Sequence, residues 1–272
     1  MSDRRFCRAA GVVAHESLRD TLEGVEFVAG DWRRISGSVA DLCAAPNGAR
    51  DRQLLFGARF CVLTEADGWA YGFDEDDGYC GWVAAEACGE DAAVTHWVAS
   101  PGTHLYPAPD IKTAEVLALH LGARVLVAGS QPPFVQTPHG FIPASHLRPL
   151  DERLTDPVAV ARGFLGTPYV WGGNSRAGID CSGLVQIARR ACGLHCPADS
   201  DLQCAMAGQD VAEPDLQPGD LVFWPGHVAM VSEPGHIIHA NAHHMAVVEE
   251  RYDAAVARIA ASGDPVLRRL RA

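Results

Sequence analysis

The spacing of apolar positions changes twice along this chain. Up to about residue 150 they come in short Val-, Leu-, Phe- and Trp-rich runs cut by Gly, Pro and Asp, which predicts small modules of strands. At "LTDPVAVARGFLG" the texture turns helical. Thr155 or Asp156 as N-cap, Pro157 in the first turn and Gly166 past the end predict a short helix. Leu184, Val185, Ile187, Ala188 and Ala191 then recur at helical spacing, predicting a second helix that begins at or near Cys181. Beyond "QPGD" the runs "LVFW", "HVAMVS", "HIIHAN" and "AVVEERY" are short and strand-like, and they predict antiparallel strands of one sheet.

The first half also repeats itself. "RQLLFGARFCVLTEADGWAYG" with "YCGWVAAEAC" lines up with "LALHLGARVLVAG" with "HGFIPASHL": an apolar run, a Leu/Phe-Gly-Ala-Arg element, a strand, a turn, a Gly-aromatic step and a short closing segment. Two copies of one module account for this, and their spacing resembles the bacterial SH3-like fold. The implied architecture is α+β: two small SH3-like β-barrels over residues 36–92 and 93–150, then a helix-and-sheet domain over 151–272. Residues 1–35 are unassigned, either covering an edge of the first module or extending along the last domain.

Composition narrows the function. The 272 residues carry 22 Lys+Arg against 34 Asp+Glu, a net charge of -12, which argues against nucleic acid or an anionic membrane surface as partner. No stretch approaches the roughly 18 apolar residues of a membrane span. The apolar run near the N-terminus is broken by His15 and Glu16, which leads to the expectation of an uncleaved, cytoplasmic chain. Nine scattered cysteines fit reduced thiols better than a disulfide framework. Nothing in the sequence bears on oligomeric state.

The candidate chemistry centres on Cys181, between the glycine-rich "YVWGGNSRAGID" and a helix. A thiolate is stabilised by the free N–H groups and positive dipole of a helix N-terminus, so this position predicts a thiol pKa below the free value of about 8.5 and a cysteine more reactive than the other eight. Free cysteines are more often buried and inert, and what shifts the reading is company. His227 opens "HVAMV" and His239 lies in "HIIHAN", so pairing across the "SEPG" turn brings two imidazoles together, one as base and one as its orienting partner.

"GTPYVWGGNSRAGIDCSGLVQ", "QPGDLVFWPGHVAMV" and "IIHAN" together resemble the NlpC-type cysteine peptidases of bacterial peptidoglycan. The resemblance implies a papain-like α+β domain that cleaves the bond between γ-D-glutamate and the diamino acid of murein stem peptides, without a cofactor. Matched residue by residue, it makes Cys181 the nucleophile, His227 the general base and His239 the orienting third member. Tyr169 matches a tyrosine close to the nucleophile, and the Cys181 N–H would help hold the oxyanion. Asp180, Ser182 and Ser200 match the binding cleft. Asp180 reads equally well as a helix N-cap or as the acceptor of a substrate ammonium group. Trp171 matches a cleft-lining tryptophan or is core, and Gly172 and Gly173 permit close backbone approach.

Among such peptidases, those with SH3-like modules and no secretion signal resemble the recycling enzymes that act on free stem peptides and release L-Ala-γ-D-Glu. Tyr79 in "DDGYCGWV" matches a tyrosine sent toward the substrate amine, with Asp51 about where its acidic partner would stand. The acidic "DEDDGY" stretch also reads as a solvated turn. Two other functions fit the same features, an amidase or acyltransferase on the same fold and a non-catalytic binder of wall fragments. Cys192, His195, Cys196 and Cys204 lack the paired spacing of a structural zinc site, so no metal is expected, and His243 and His244 read as a hairpin tip.

Overall fold

In the computed structural model, which describes residues 3–272, the glycine of each repeated element, Gly57 and Gly122, turns the chain at positive φ, +74° and +96°. Only glycine takes that conformation without strain, so the repeat is a repeated turn. The closing segments agree as well: a single 3₁₀ turn follows the last long strand in each copy, Ala85–Ala87 in the first and Ala144–His146 in the second. The chain divides into two units, one ending at Leu150 and one spanning Asp151–Ala272.

In the first unit a seven-stranded antiparallel sheet runs in the order Cys88–Gly89, Asp31–Ile35, Arg59–Ala66, Trp69–Asp74, Cys80–Ala84, Val39–Cys43, Arg50–Leu55. It opens at Asp31, ahead of the expected start at 36. The segment before it adds Ala9–Ala10, Val13–His15 and Glu26–Val28, whose Ala10, Val13 and Val28 pack on Cys61, Leu63, Tyr71, Phe73 and Cys80. Burial of those side chains fixes the segment as an edge of the first module. The Tyr71 hydroxyl donates to the Cys7 carbonyl at 2.6 Å, and the Arg8 guanidinium lies 4.1 Å from the centre of the Phe73 ring.

The second copy is built from shorter strands in three small sheets. Their core of Val98, Leu105, Leu119, Ala123, Val125 and Ile142 takes in Phe56 from the first copy. The two copies therefore share apolar surface, and the Arg124 N–H donates to the Phe56 carbonyl at 2.9 Å at the same place.

The second unit holds four helices and a six-stranded antiparallel sheet in the order Gln209–Asp210, Arg268–Arg271, Leu221–Trp224, His227–Glu233, His236–Asn241, Ala246–Arg251. Helix α1 (Pro157–Arg162) is capped by Asp156, which accepts from the Val158 and Ala159 N–H groups at 2.9 and 3.1 Å, so of the two capping candidates the carboxylate is used. Helix α2 (Cys181–Ala191) buries Leu184, Val185, Ile187 and Ala188, the stripe its spacing predicts. Helix α3 (Ser200–Cys204) is a single short turn, and α4 (Tyr252–Ala260) sets Tyr252 and Ala255 against Val222, Trp224, Ala229, Val231 and Ile237 of the sheet.

Candidate active site

Asp180 is the N-cap of α2: its Oδ1 accepts from the Gly183 N–H at 2.7 Å and the Ser182 hydroxyl at 3.1 Å, while Oδ2 accepts from the Gly172 N–H at 2.9 Å. One carboxylate thus ties the glycine-rich loop to the helix that carries the cysteine. The glycines permit the closeness. A Cβ on Gly173 would lie 2.6 Å from the Gly178 carbonyl oxygen, and one on Gly183 would lie 2.5 Å from the Gly173 carbonyl oxygen.

Cys181 is the first residue of α2 and is only 7% exposed. Its sulfur lies near its own N–H and those of Ser182 and Val228, and so beside the start of the strand that His227 opens. The expectation of a lowered pKa is overturned. Burial pushes the thiol up to about 12, the Asp180 charge adds to the rise, and the N–H groups of Cys181 and Ser182 at the helix end and of Val228 on the strand recover only part of it. Position at a helix end is legible in sequence, whereas depth of burial is not.

The two histidines meet. His227 Nε2 lies 2.8 Å from His239 Nδ1, and His239 Nε2 lies 2.7 Å from Glu250 Oε1. The geometry follows from strand register. Val231 pairs with Ile237, and Ile237 in turn with Glu250, so alternate residues outward from that row put His227, His239 and Glu250 on one face of three neighbouring strands as diagonal neighbours. Ala229, Val231 and Ile237 share that face and pack on α4, which also supplies Arg258 to the Glu250 carboxylate.

Burial keeps both rings neutral: it pulls His227 down to about 3, helped by neighbouring His239, and it lowers His239 against the opposing pull of Glu250. The hydrogen bond from His239 holds the Glu250 carboxyl below its usual range. Glu250 does not figure in the sequence reading. Its signal is the alternation in "AVVEERY", where a carboxylate falls on the strand face of a histidine, and that becomes visible only once the register is known.

Tyr169 is joined to the turn before Ala246, its N–H donating to the Met245 carbonyl at 2.9 Å. Burial pushes its phenol up to about 12, with the Cys181 and Asp180 charges adding to the rise, so the hydroxyl stays protonated. Trp171 is 69% exposed, which removes the core alternative. Ser182 is buried, and its carbonyl accepts from Gln203 Nε2 at 2.9 Å, binding α2 to α3. Ser200 opens α3 after Asp199, whose φ is +37°.

In the first unit Tyr79 is 2% exposed, with the Phe6 ring 6.3 Å away and the Arg52 guanidinium 5.5 Å from its centre. Asp51 is engaged by Arg4, whose two terminal nitrogens donate to its oxygens at 2.7 and 2.8 Å, rather than held open for a substrate amine. Part of the acidic stretch is structural as well: Asp77 pairs with Arg52 and both are buried. Among the described residues no group of three or more His, Cys, Asp or Glu side chains stands together in a way that could hold a metal ion.

A cysteine at a helix N-terminus, beside a strand opened by an imidazole that a second imidazole orients, is the arrangement of covalent thiol catalysis. Residues 166–259 match the model of the NlpC/P60 family, and residues 42–87 match that of the bacterial dipeptidyl-peptidase Sh3 domain. The chain carries an NlpC/P60 domain behind a bacterial dipeptidyl-peptidase SH3 domain.

A γ-D-glutamyl-L-lysine dipeptidyl-peptidase of Bacillus subtilis (strain 168) is 30% identical over 190 residues, 63% of this chain and 63% of that one. Dipeptidyl-peptidase 6 of Lysinibacillus sphaericus is 37% identical over 84 residues, so the match spans 31% of its length. The crystal structure of an NlpC/P60 family protein from Bacillus cereus ATCC 10987 superposes with a TM-score of 0.75 at 20% identity, covering 89% of this chain and 99% of that one, and it has the same fold.

Proposed function

We propose that this protein is a cysteine peptidase that hydrolyses the γ-D-glutamyl–diamino acid bond of free murein stem peptides and releases L-Ala-γ-D-Glu. The observation that carries the reading is the 2.8 Å His227–His239 hydrogen bond on the strand whose Val228 N–H reaches the Cys181 sulfur. The name of the Bacillus subtilis relative supports the substrate class, and that of the Lysinibacillus sphaericus relative supports release of a dipeptide. On this reading the catalytic unit is a papain-like domain and the repeated modules are SH3-like barrels.

In the resting site the thiol and both imidazoles are neutral, so the proton leaves sulfur as the sulfur attacks. His227 takes it, a bond forms from sulfur to the γ-carbonyl carbon, and the Cys181 N–H holds the oxyanion. The protonated His227 gives its proton to the departing amine of the diamino acid as the C–N bond breaks. Water then attacks the thioester with His227 as base, and the dipeptide leaves. Hydrogen bonds from Tyr169, Ser182 and Ser200, apolar contact from Trp171 and charge from Asp180 position the peptide on this reading. Tyr79 and Asp51, in the first unit, are engaged by Arg52 and Arg4.

On this reading the enzyme serves recycling in the cytoplasm, and nine cysteines outside any disulfide fit a reducing compartment. Incubation with L-Ala-γ-D-Glu-meso-diaminopimelate or its L-lysine analogue, followed by mass spectrometry, tests the proposal. The dipeptide and free diamino acid are expected. Transfer of the acyl group to an added amine in preference to water would favour an acyltransferase, and binding without turnover a non-catalytic role.

A further inference from the structure

Given the peptidase reading above, we propose that Glu250 is a positioning residue for the catalytic base: acting through His239, it fixes which nitrogen of His227 is bare and able to take the Cys181 proton. An ionised carboxylate only accepts, so His239 Nε2, 2.7 Å from Glu250 Oε1, carries a hydrogen. A neutral imidazole has one such hydrogen, which leaves His239 Nδ1 as an acceptor. His227 Nε2, 2.8 Å away, must then be the donor. The remaining nitrogen of His227, Nδ1, is bare.

Nothing in the pair of rings alone selects this direction. With the opposite polarity His239 Nδ1 would donate, His227 Nε2 would accept, and His227 Nδ1 would already hold the hydrogen that it should receive from sulfur. The carboxylate makes that arrangement unfavourable, since it would set two acceptors against each other at His239 Nε2. Arg258 keeps the acceptor in place: its guanidinium, which only donates, contacts the same Oε1 from α4. Arg258 opposes a proton on the His239 ring, and Glu250 favours one. Neutral rings make the choice of nitrogen the deciding variable, as an imidazolium has no bare nitrogen to offer.

The test uses the full chain labelled with ¹⁵N-histidine, with Glu250→Gln and Glu250→Met as variants. Gln keeps an oxygen that Arg258 can hold toward His239, whereas Met keeps the length and removes the acceptor. Long-range ¹H–¹⁵N spectra are expected to show hydrogen on Nε2 and none on Nδ1 of both rings in the wild type and Glu250→Gln, and a mixed pattern in Glu250→Met. With the L-Ala-γ-D-Glu-diamino acid tripeptide, kcat is expected to fall about 10–100-fold in Glu250→Met at nearly constant KM, and to stay within about threefold in Glu250→Gln.

A wild-type His227 carrying its hydrogen on Nδ1 overturns the proposal whatever the variants do. So does a loss of activity in Glu250→Met with the nitrogen pattern unchanged. If the wild type leaves the tripeptide intact while the nitrogens respond as stated, the substrate assignment fails and the role of Glu250 stands.

Discussion

The Asp180 carboxylate opposes ionisation of its sequence neighbour, the Cys181 thiol, at a helix end whose N–H groups favour it. Burial decides the balance, and the thiol stands at about 12. Alkylation of Cys181 by iodoacetamide, mapped by mass spectrometry, is therefore expected to be slow near neutral pH and to climb only in strongly alkaline solution. Asp180→Asn removes the charge and keeps a capping side chain, so its alkylation profile should move to lower pH. An unmoved profile would mean that the carboxylate does not act on the sulfur.

Removing the two imidazoles should not have equal effects. His227→Ala deletes the proposed base, and kcat is expected to drop at least about 10²–10⁴-fold. His239→Gln retains a side chain able to hydrogen-bond His227 and should keep measurable turnover. Steady-state kinetics on the tripeptide check both, and near-native rates in His227→Ala would remove it as the base.

Acid should destabilise the second unit through His227. Its folded value of about 3 lies below the ordinary 6.5, so as pH falls past 6.5 the unfolded chain takes up a proton that the native ring refuses. The contribution is complete above 6.5 and is lost progressively down toward 3. Glu250, also lowered, adds a loss of the same sign below its ordinary 4.5. The urea midpoint should fall across this window in the wild type and fall less steeply in His227→Gln. A flat wild-type curve would contradict the burial of the ring as a neutral base.

The repeated glycines separate by what surrounds them. A Cβ on Gly57 would lie 2.1 Å from the Arg124 carbonyl oxygen, whereas one on Gly122 meets only a Leu55 methyl at 3.2 Å. Both alanine substitutions carry the strain of positive φ, on the order of 1–3 kcal/mol, and only Gly57→Ala adds a backbone clash. Thermal unfolding is expected to show the larger loss for Gly57→Ala. Equal losses would place the whole cost in the turn.

What could be read from sequence follows period and punctuation. The α2 stripe, the strands from "LVFW" to "AVVEERY" and the Gly-Ala-Arg turns declare themselves through spacing and through glycine. Cys181, His227 and His239 stand out as residue types at element ends and in adjacent strands. Three things were hidden because each depends on neighbours far along the chain: the depth that raises the thiol, the diagonal register that recruits Glu250, and the Arg4 that occupies Asp51. The weak period of residues 1–35 likewise concealed strands whose partner, the first module, begins only at Asp31.

The diagonal from His227 through His239 to Glu250 crosses three strands, and each step is a statement about pairing. Because side chains alternate faces, a slip of one residue in either pairing would send one member to the opposite side of the sheet. Turnover is thereby a readout of assembly: a slip in the first pairing parts His227 from His239, and a slip in the second parts His239 from Glu250. Activity per folded molecule, followed during refolding, would report completion of this sheet more strictly than any measure of compactness.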